Sequence, residues 1–419
     1  VFDVLGDARA HFLEIGERQR EHEPSLTWRI PDNLGVSVQQ SAIGSKLKVL
    51  VISPRFPWPP HTGDRARAAL WLSALAPHAR VALVAPDGEV PSDAPTFAFH
   101  PAARSLTRGA RAAFAVLREG LPFQSLLAAP YAWNDAIAAA RRSLGGVDAT
   151  VVILTRADPW VRPSLNGSAR ILDAIDSLRR NAAERTGAAS AISRWFWRSE
   201  ERRQARTERE ISSGYDRIIV VNGDETREFG LKALAISNSV RIAPLDPDAP
   251  RAFDFGFWGR LAYFANADAA KWLIDEIWPA IRERHPSATL AIGGADAPRS
   301  IRRAAERAGI ALRSPVEEIG AFARSIRVAI FPIRFGSGQS NKVLEAAEAG
   351  CAIAATPVAL RGLPQFEPLV SVAHDASSIA SAAIELLDDR AMAASLRRVV
   401  ESDFARDQVL MRLAEAVSA

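Results

Sequence analysis

Twice along this chain, short apolar runs alternate with amphipathic segments of helical length, and that alternation admits few folds other than parallel sheets flanked by helices. The first series opens with KLKVLVIS at Lys46, passes through the loop PRFPWPPHTGDRAR, and enters the helical segment ALWLSALAPHA. Further strands are expected at 80–84, 96–100, 150–154, 170–172 and 217–221. The second series runs FDFGFWG, ATLAIGG, IALRS, RVAIFP and CAIAAT, with helices between. Runs this uniformly apolar suit strands covered on both faces.

Between the two series lies NSVRIAPLDPDAPRAFD, whose Pro244, Pro247 and Pro250 mark an interdomain linker. The expected organisation is an appendage over 1–45, a Rossmann-like domain over 46–240, and a second over 251–402. A terminal helix over 403–419 is expected to pack back on the first domain. The fold class is therefore α/β, with two doubly wound parallel-sheet domains facing a cleft. The appendage holds one short amphipathic segment and nothing that carries chemistry.

The segment FPIRFGSGQSNKVLEAAEAGCAIAAT, residues 331–356, joins a strand to a helix through a glycine-rich loop. Gly336 and Gly338 let backbone N–H groups approach a ligand that a Cβ would obstruct. A helix starting near Asn341 would turn its N-terminal amides toward that loop, and Lys342 adds a full charge where a diphosphate would sit. Glu345, one turn on, shares the face of Lys342 and is placed to accept hydrogen bonds from sugar hydroxyls. The chain has only five lysines among its 52 basic residues, which singles out the one in this loop.

Composition narrows the remaining classes. With 419 residues, 48% of them hydrophobic, each domain can bury a core, and a net charge of +4 does not call for a nucleic-acid partner. Cys351 is the only cysteine, so no intramolecular disulfide or cysteine-based metal site can form. The seven histidines show no metal-ligand spacing, and neither a metal nor a cofactor is expected. No apolar run reaches bilayer-spanning length and no signal peptide is evident, so a cytoplasmic location is expected.

Three blocks in order carry a family resemblance: FWGRLAYFANADAAKWLIDEIWPAIRERHPSATLAIGG, SPVEEIGAFARS, and VAIFPIRFGSGQSNKVLEAAEAGCAIAATPVALRGL. They resemble the donor-binding domain of family 4 (group 1) glycosyltransferases of the two-domain GT-B architecture, in the branch with a GSG loop followed by NKVLEA. RFPWPPHTGDRAR and ILDAIDSLRRN are similar to that branch too. The resemblance implies transfer of a sugar from a nucleotide-diphosphate donor, UDP- or GDP-linked, with retention of configuration and without a bound metal. By position it implies that Arg260 and Lys342 contact the diphosphate and that Glu345 binds the ribose. It further implies that Gly63, Val316, Gly336, Ser337, Gly338, Gln339 and Val343 line the donor. The implied acceptor is a glycan or a lipid-linked intermediate in cell-surface polysaccharide synthesis.

Two positions depart from the family pattern. Ser337 stands where the first carboxylate of the paired-glutamate motif is usual, and Asn266 where a second basic diphosphate ligand is usual. More of the diphosphate charge then falls on Lys342. In the first domain, Gly63 reads equally as a turn glycine or a ligand contact, and Asp64 as a helix cap or a substrate contact. His61 is the one histidine near the expected cleft, and with Asp64 it forms the candidate acceptor site. Asp173 and Asp176 divide between acceptor contact and helix capping. Trp195, Phe196 and Trp197 beside arginines fit either a packed face or peripheral contact with the inner face of the cell membrane. Two alternatives to a transferase stay open: a GT-B nucleotide-sugar epimerase or hydrolase, and a non-catalytic nucleotide-sugar-binding protein.

Overall fold

A computed structural model of the protein describes residues 46–60, 62–188, 191–336 and 338–418. The expected appendage over 1–45, His61 and Ser337 lie outside the described residues. Among those described, one compact unit holds 46–152, 156–170 and 178–207, and a second holds 153–155, 171–177 and 208–418.

The first series of apolar runs forms β1 (Leu47–Ile52), β2 (Ala79–Ala85), β3 (Ala98–Pro101), β4 (Ala149–Ile153), β5 (Ala169–Ile175), β6 (Arg217–Val220) and β7 (Ala233–Ala235). Their order in the sheet is β3-β2-β1-β4-β5-β6-β7. The second series forms β8 (Phe253–Trp258), β9 (Leu290–Gly293), β10 (Ala311–Arg313), β11 (Ile326–Phe331), β12 (Ala352–Ala355) and β13 (Ser371–Val372), ordered β10-β9-β8-β11-β12-β13. β8 pairs in parallel with β9 and with β11, and β11 with β12. Both sheets reverse direction beside their first strand, the signature of a doubly wound Rossmann-like fold. The α/β class and the two parallel sheets of a GT-B fold thus follow from runs legible in the sequence.

The second sheet is buried on both faces. Phe255, Phe257, Val328, Ile330 and Phe331 are fully covered, as the unbroken apolar character of their strands requires. The helical segment after β8 departs from a single regular helix. It runs as α-helix over Phe264–Trp272, widens to a π-helical turn over Leu273–Ile277, and returns to α-helix at Trp278. Pro279 explains the change: it has no N–H for an i to i−4 bond, and a widened turn accommodates the loss.

The proline-rich segment is held along its length. Val240 and Phe404–Arg406 exchange backbone bonds, Ala243 donates its N–H to Glu348 at 2.9 Å, and Arg251 donates to the carbonyl oxygens of Ile326 and Gly350. Glu348, which follows Glu345 by one turn, is buried and ion-paired with Arg324 and Arg397. It is a structural anchor for this crossing. The terminal helix Arg406–Ser418 receives a bond from Arg217 at the start of β6, through the carbonyl oxygen of Ala416 at 2.7 Å.

Candidate functional site

All strands of the second sheet run the same way, so the loops after β8, β9, β10 and β11 emerge at one edge. The strand order reverses between β8 and β11, which opens a crevice beyond their C-terminal ends. Gly259 and Arg260 follow β8, and the glycine loop follows β11. Two glycines set the backbone there. Gly294, at φ 145°, packs so close to Gly259 that a Cβ would overlap the Gly259 carbonyl oxygen. Gly259, at φ 152°, leaves its own Cβ position 3.3 Å from Lys342 Cε and 2.9 Å from Asn266 Nδ2.

Lys342 sits in the first turn of the helix Asn341–Glu348, half-buried beside Gly259. A cation there opposes the positive end of the helix dipole. Burial adds to the mismatch and holds the Lys342 ammonium below its ordinary range, with Glu345 only partly offsetting it. Such a lysine is costly to the empty protein and well matched to an anion. Glu345 is pushed in the opposite sense: burial raises its carboxyl, against a hydrogen bond from Trp258 and the charge of Lys342. The Trp258 indole N–H donates to Glu345 Oε2 at 2.8 Å.

Arg260 is half-exposed, and its Nε donates to Asp296 Oδ2 at 2.9 Å. That pair aligns the guanidinium along the loop after β9 and leaves its other N–H groups uncommitted to Asp296. Asn266 is buried, and its Nδ2 donates to the Arg260 carbonyl oxygen at 2.9 Å. The position where the resembling family carries a base is thus used to fix the backbone of the Gly259–Arg260 turn.

The glycine loop is anchored to the segments 222–238 rather than left open. Gly336 and Gly338 take φ 144° and 76°, backbone that favours glycine. The Gly338 N–H donates to Glu225 Oε1 at 3.0 Å, while Glu225 Oε2 accepts from the Ser177 N–H at 2.6 Å. Gln339 accepts from the Asn238 N–H and donates to the Gly362 carbonyl oxygen, and Asn341 accepts from Asn238 Nδ2. Arg361 donates to the Gly336 carbonyl oxygen at 2.9 Å. The side chains of Gln339 and the amide of Gly338 therefore have protein partners. Val343 is fully buried, and its backbone N–H donates to the Ser340 carbonyl oxygen at 3.1 Å. Val316, after β10, packs half-buried against the core.

In the first unit, Gly63 begins the helix Gly63–Leu75 after β1, and a Cβ there would meet nothing within 4 Å. Asp64 lies in the first turn, accepts from the Thr62 hydroxyl at 2.6 Å, and pairs with Arg55 at 3.4 Å. In the second unit, Asp173 is buried within β5, where its Oδ1 accepts from the Ile175 N–H beside a strand irregularity. Asp176 in the second unit faces Gly338, its Cβ 3.5 Å from where a Cβ on that glycine would lie. Sequence reasoning missed Trp258, Glu225 and Asp296. Only Trp258 gave a local signal, as an indole next to the glycine–arginine pair.

Residues 252–389 match the family described as "Glycosyl transferases group 1". That stretch is related to the group 1 glycosyl transferases. It covers β8 to β13 and so includes every residue of the crevice between β8 and β11. No curated protein matches the sequence. Among solved structures, the chain is similar to a sucrose-phosphate synthase from Thermosynechococcus elongatus, at 14% identity and TM-score 0.66 over 88% of this chain and 98% of that one. It is similar to HepE from Anabaena in complex with UDP, at 10% identity and TM-score 0.61 over 89% and 99%. It is also similar to WaaG, described as a glycosyltransferase involved in lipopolysaccharide biosynthesis, at 13% identity and TM-score 0.59 over 89% and 100%. These likenesses extend the GT-B fold over both sheets. Among the described residues no group of acidic, histidine or cysteine side chains is arranged to hold a metal ion, and no helix is long and apolar enough to cross a membrane.

Proposed function

We propose that the protein is a retaining glycosyltransferase that moves a hexose or related sugar from a UDP- or GDP-linked donor to a glycan or lipid-linked acceptor in cell-surface polysaccharide synthesis. The observation that carries this reading is the Lys342–Glu345 pair on one short helix, set where the sheet order reverses and where Gly259 makes room for the lysine stem. In this reading Lys342, Arg260 and the first amides of the helix Asn341–Glu348 take the diphosphate, and Glu345 takes the ribose. Ser337 and the backbone of 336–339 border the sugar, and the main chain at Val316 borders the base. Gly63, Asp64 and His61 are the acceptor-side candidates.

The chemistry follows from charge. An acceptor hydroxyl attacks the anomeric carbon on the face of the departing diphosphate; the new C–O bond forms as the bond to the phosphate oxygen breaks, and that oxygen takes the hydroxyl proton. Negative charge grows on the diphosphate during this step. Fixed donors aimed at it lower the barrier, each by about 2.7–4 kcal/mol on the scale of measured oxyanion donors. A lysine disfavoured as a cation in the empty site becomes favoured once the anion arrives.

Thermal unfolding of the protein with a panel of nucleotides and nucleotide sugars tests this reading. UDP or GDP should raise Tm, and the larger shift assigns the donor class. Lys342→Ala should cut kcat by roughly a hundredfold or more. Stabilisation by no nucleotide, or full turnover in Lys342→Ala, overturns the assignment.

The lipid-linked form of the acceptor is supported by the helix Ala191–Gly214, where Trp195 is 77% exposed and lies along one groove with Arg194, Arg198 and Arg202. A basic face with a protruding indole suits an anionic membrane surface.

A further inference from the structure

Trp258 ends β8 with its ring 1% exposed, between Phe322 and Phe331 at centroid distances of 6.1 and 5.1 Å. Its size and apolar body belong to the core of the sheet. Its one polar atom does not stay there: Nε1 reaches across to the helix Asn341–Glu348 and donates to Glu345 Oε2 at 2.8 Å. The next residue, Gly259, approaches the Lys342 stem, and the one after, Arg260, is locked by Asp296 and Asn266. Three consecutive residues therefore each fix a different part of the crevice.

We infer that Trp258 is a positioning residue that sets the discrimination between ribose and deoxyribose in the donor, by holding the Glu345 carboxylate in one orientation. This rests on the reading of Glu345 as the ribose acceptor. A carboxylate on a three-bond stem has rotamer freedom that it must lose to accept hydrogen bonds from a sugar diol. The indole removes that freedom in advance, because its ring is wedged between two phenylalanines and its N–H points one way. With Oε2 engaged by Trp258, Oε1 and the remaining lone pair of Oε2 are left for hydroxyls. The bond also favours the ionised carboxylate, the form that can only accept.

The test measures binding of UDP or GDP, whichever stabilises the wild type more, and of its 2′-deoxy and 3′-deoxy counterparts, to wild type, Trp258→Phe and Phe322→Leu. Phenylalanine keeps a ring in the cluster and removes the N–H; the Phe322 variant loosens the same cluster and leaves the N–H in place. Trp258→Phe should lose about tenfold in affinity for the ribonucleotide and much less for a deoxy counterpart, so the deoxy penalty shrinks toward twofold or so. Its acid-side limit of binding should move to higher pH, because a favourable contact to the ionised Glu345 is gone. Phe322→Leu should keep the full deoxy penalty. An unchanged deoxy penalty in Trp258→Phe, or the same shrinkage in both variants, overturns the inference while leaving the nucleotide site standing; absence of nucleotide binding in wild type overturns both. Should Trp258→Phe not fold, Glu345→Ala in protein labelled with 15N-tryptophan takes its place. Removing the acceptor should move one of the ten indole N–H resonances upfield, and no such movement overturns the inference.

Discussion

Asn266 Nδ2 donates to the carbonyl oxygen of Arg260 at 2.9 Å, closing the turn between β8 and the helix that begins at Phe264. The side chain is 7% exposed, and the same carbonyl oxygen also accepts from the Tyr263 N–H at 3.1 Å. Asn266→Ala leaves the carbonyl that second donor, so it should cost about 0.5–1.5 kcal/mol, the range for one net hydrogen bond, and should weaken nucleotide binding by loosening Arg260. Denaturant unfolding beside nucleotide titration measures both. Unchanged stability and affinity would mean the turn is held by its backbone alone.

Gly294 and Gly336 share a backbone region that favours glycine, yet they should respond differently to alanine. At Gly294 a Cβ overlaps the Gly259 carbonyl oxygen, and backbone must move. At Gly336 a Cβ meets nothing within 4 Å, so only the strain of φ 144° remains. Gly294→Ala should lose more than about 3 kcal/mol and nucleotide binding with it; Gly336→Ala should lose about 1–3 kcal/mol. Equal losses in thermal unfolding would contradict this account of the crevice.

The extent to which sequence could reach this arrangement follows from chain distance. β1, β8 and β11 were legible because each is an apolar run that declares its burial locally. Lys342 and Glu345 were legible as a pair because three residues on a helix put them on one face. Trp258 and Glu345 are 87 residues apart, and Gly338 and Glu225 are 113 apart, so no local spacing connects them. Asn266 shows a different limit. Its departure from the family pattern reads in sequence as a lost base, whereas folding gives the amide a backbone carbonyl to hold. The π-helical turn at Leu273–Ile277 went unforeseen although Pro279 was visible, because the apolar period continues through it.

Burial moves Lys342 and Glu345 in opposite directions, which fixes the pH dependence of the empty protein. Glu345 is raised above its ordinary 4.5, so its contribution is complete below that pH and is lost as pH rises through the folded value. Lys342 is lowered from its ordinary 10.5, so its contribution is present above that pH and is lost as pH falls through the folded value. Lys342→Met should therefore be more stable than wild type near neutral pH, by roughly 2–4 °C in Tm, with the gap closing as pH approaches the lysine's ordinary value. The same variant should not be stabilised by nucleotide. In wild type, nucleotide binding above the folded value of Lys342 should take up protons, seen by titration calorimetry in buffers of different ionisation enthalpy. A variant less stable than wild type at every pH would show that the lysine stem, not its charge, dominates.

Trp195, Arg194, Arg198 and Arg202 make the lipid-linked form of the acceptor testable without knowing the acceptor. An indole 77% exposed costs little to move into a headgroup layer, and each arginine near an anionic surface contributes about 1 kcal/mol at low salt. The protein should float with vesicles containing phosphatidylglycerol and not with phosphatidylcholine alone, and raised salt should release it. Trp195→Ala combined with Arg198→Ala should weaken flotation by about tenfold while nucleotide-induced stabilisation stays at the wild-type value, because neither residue belongs to the crevice between β8 and β11. Equal flotation with neutral vesicles, or no loss in the double variant, would assign this face to packing rather than to a membrane.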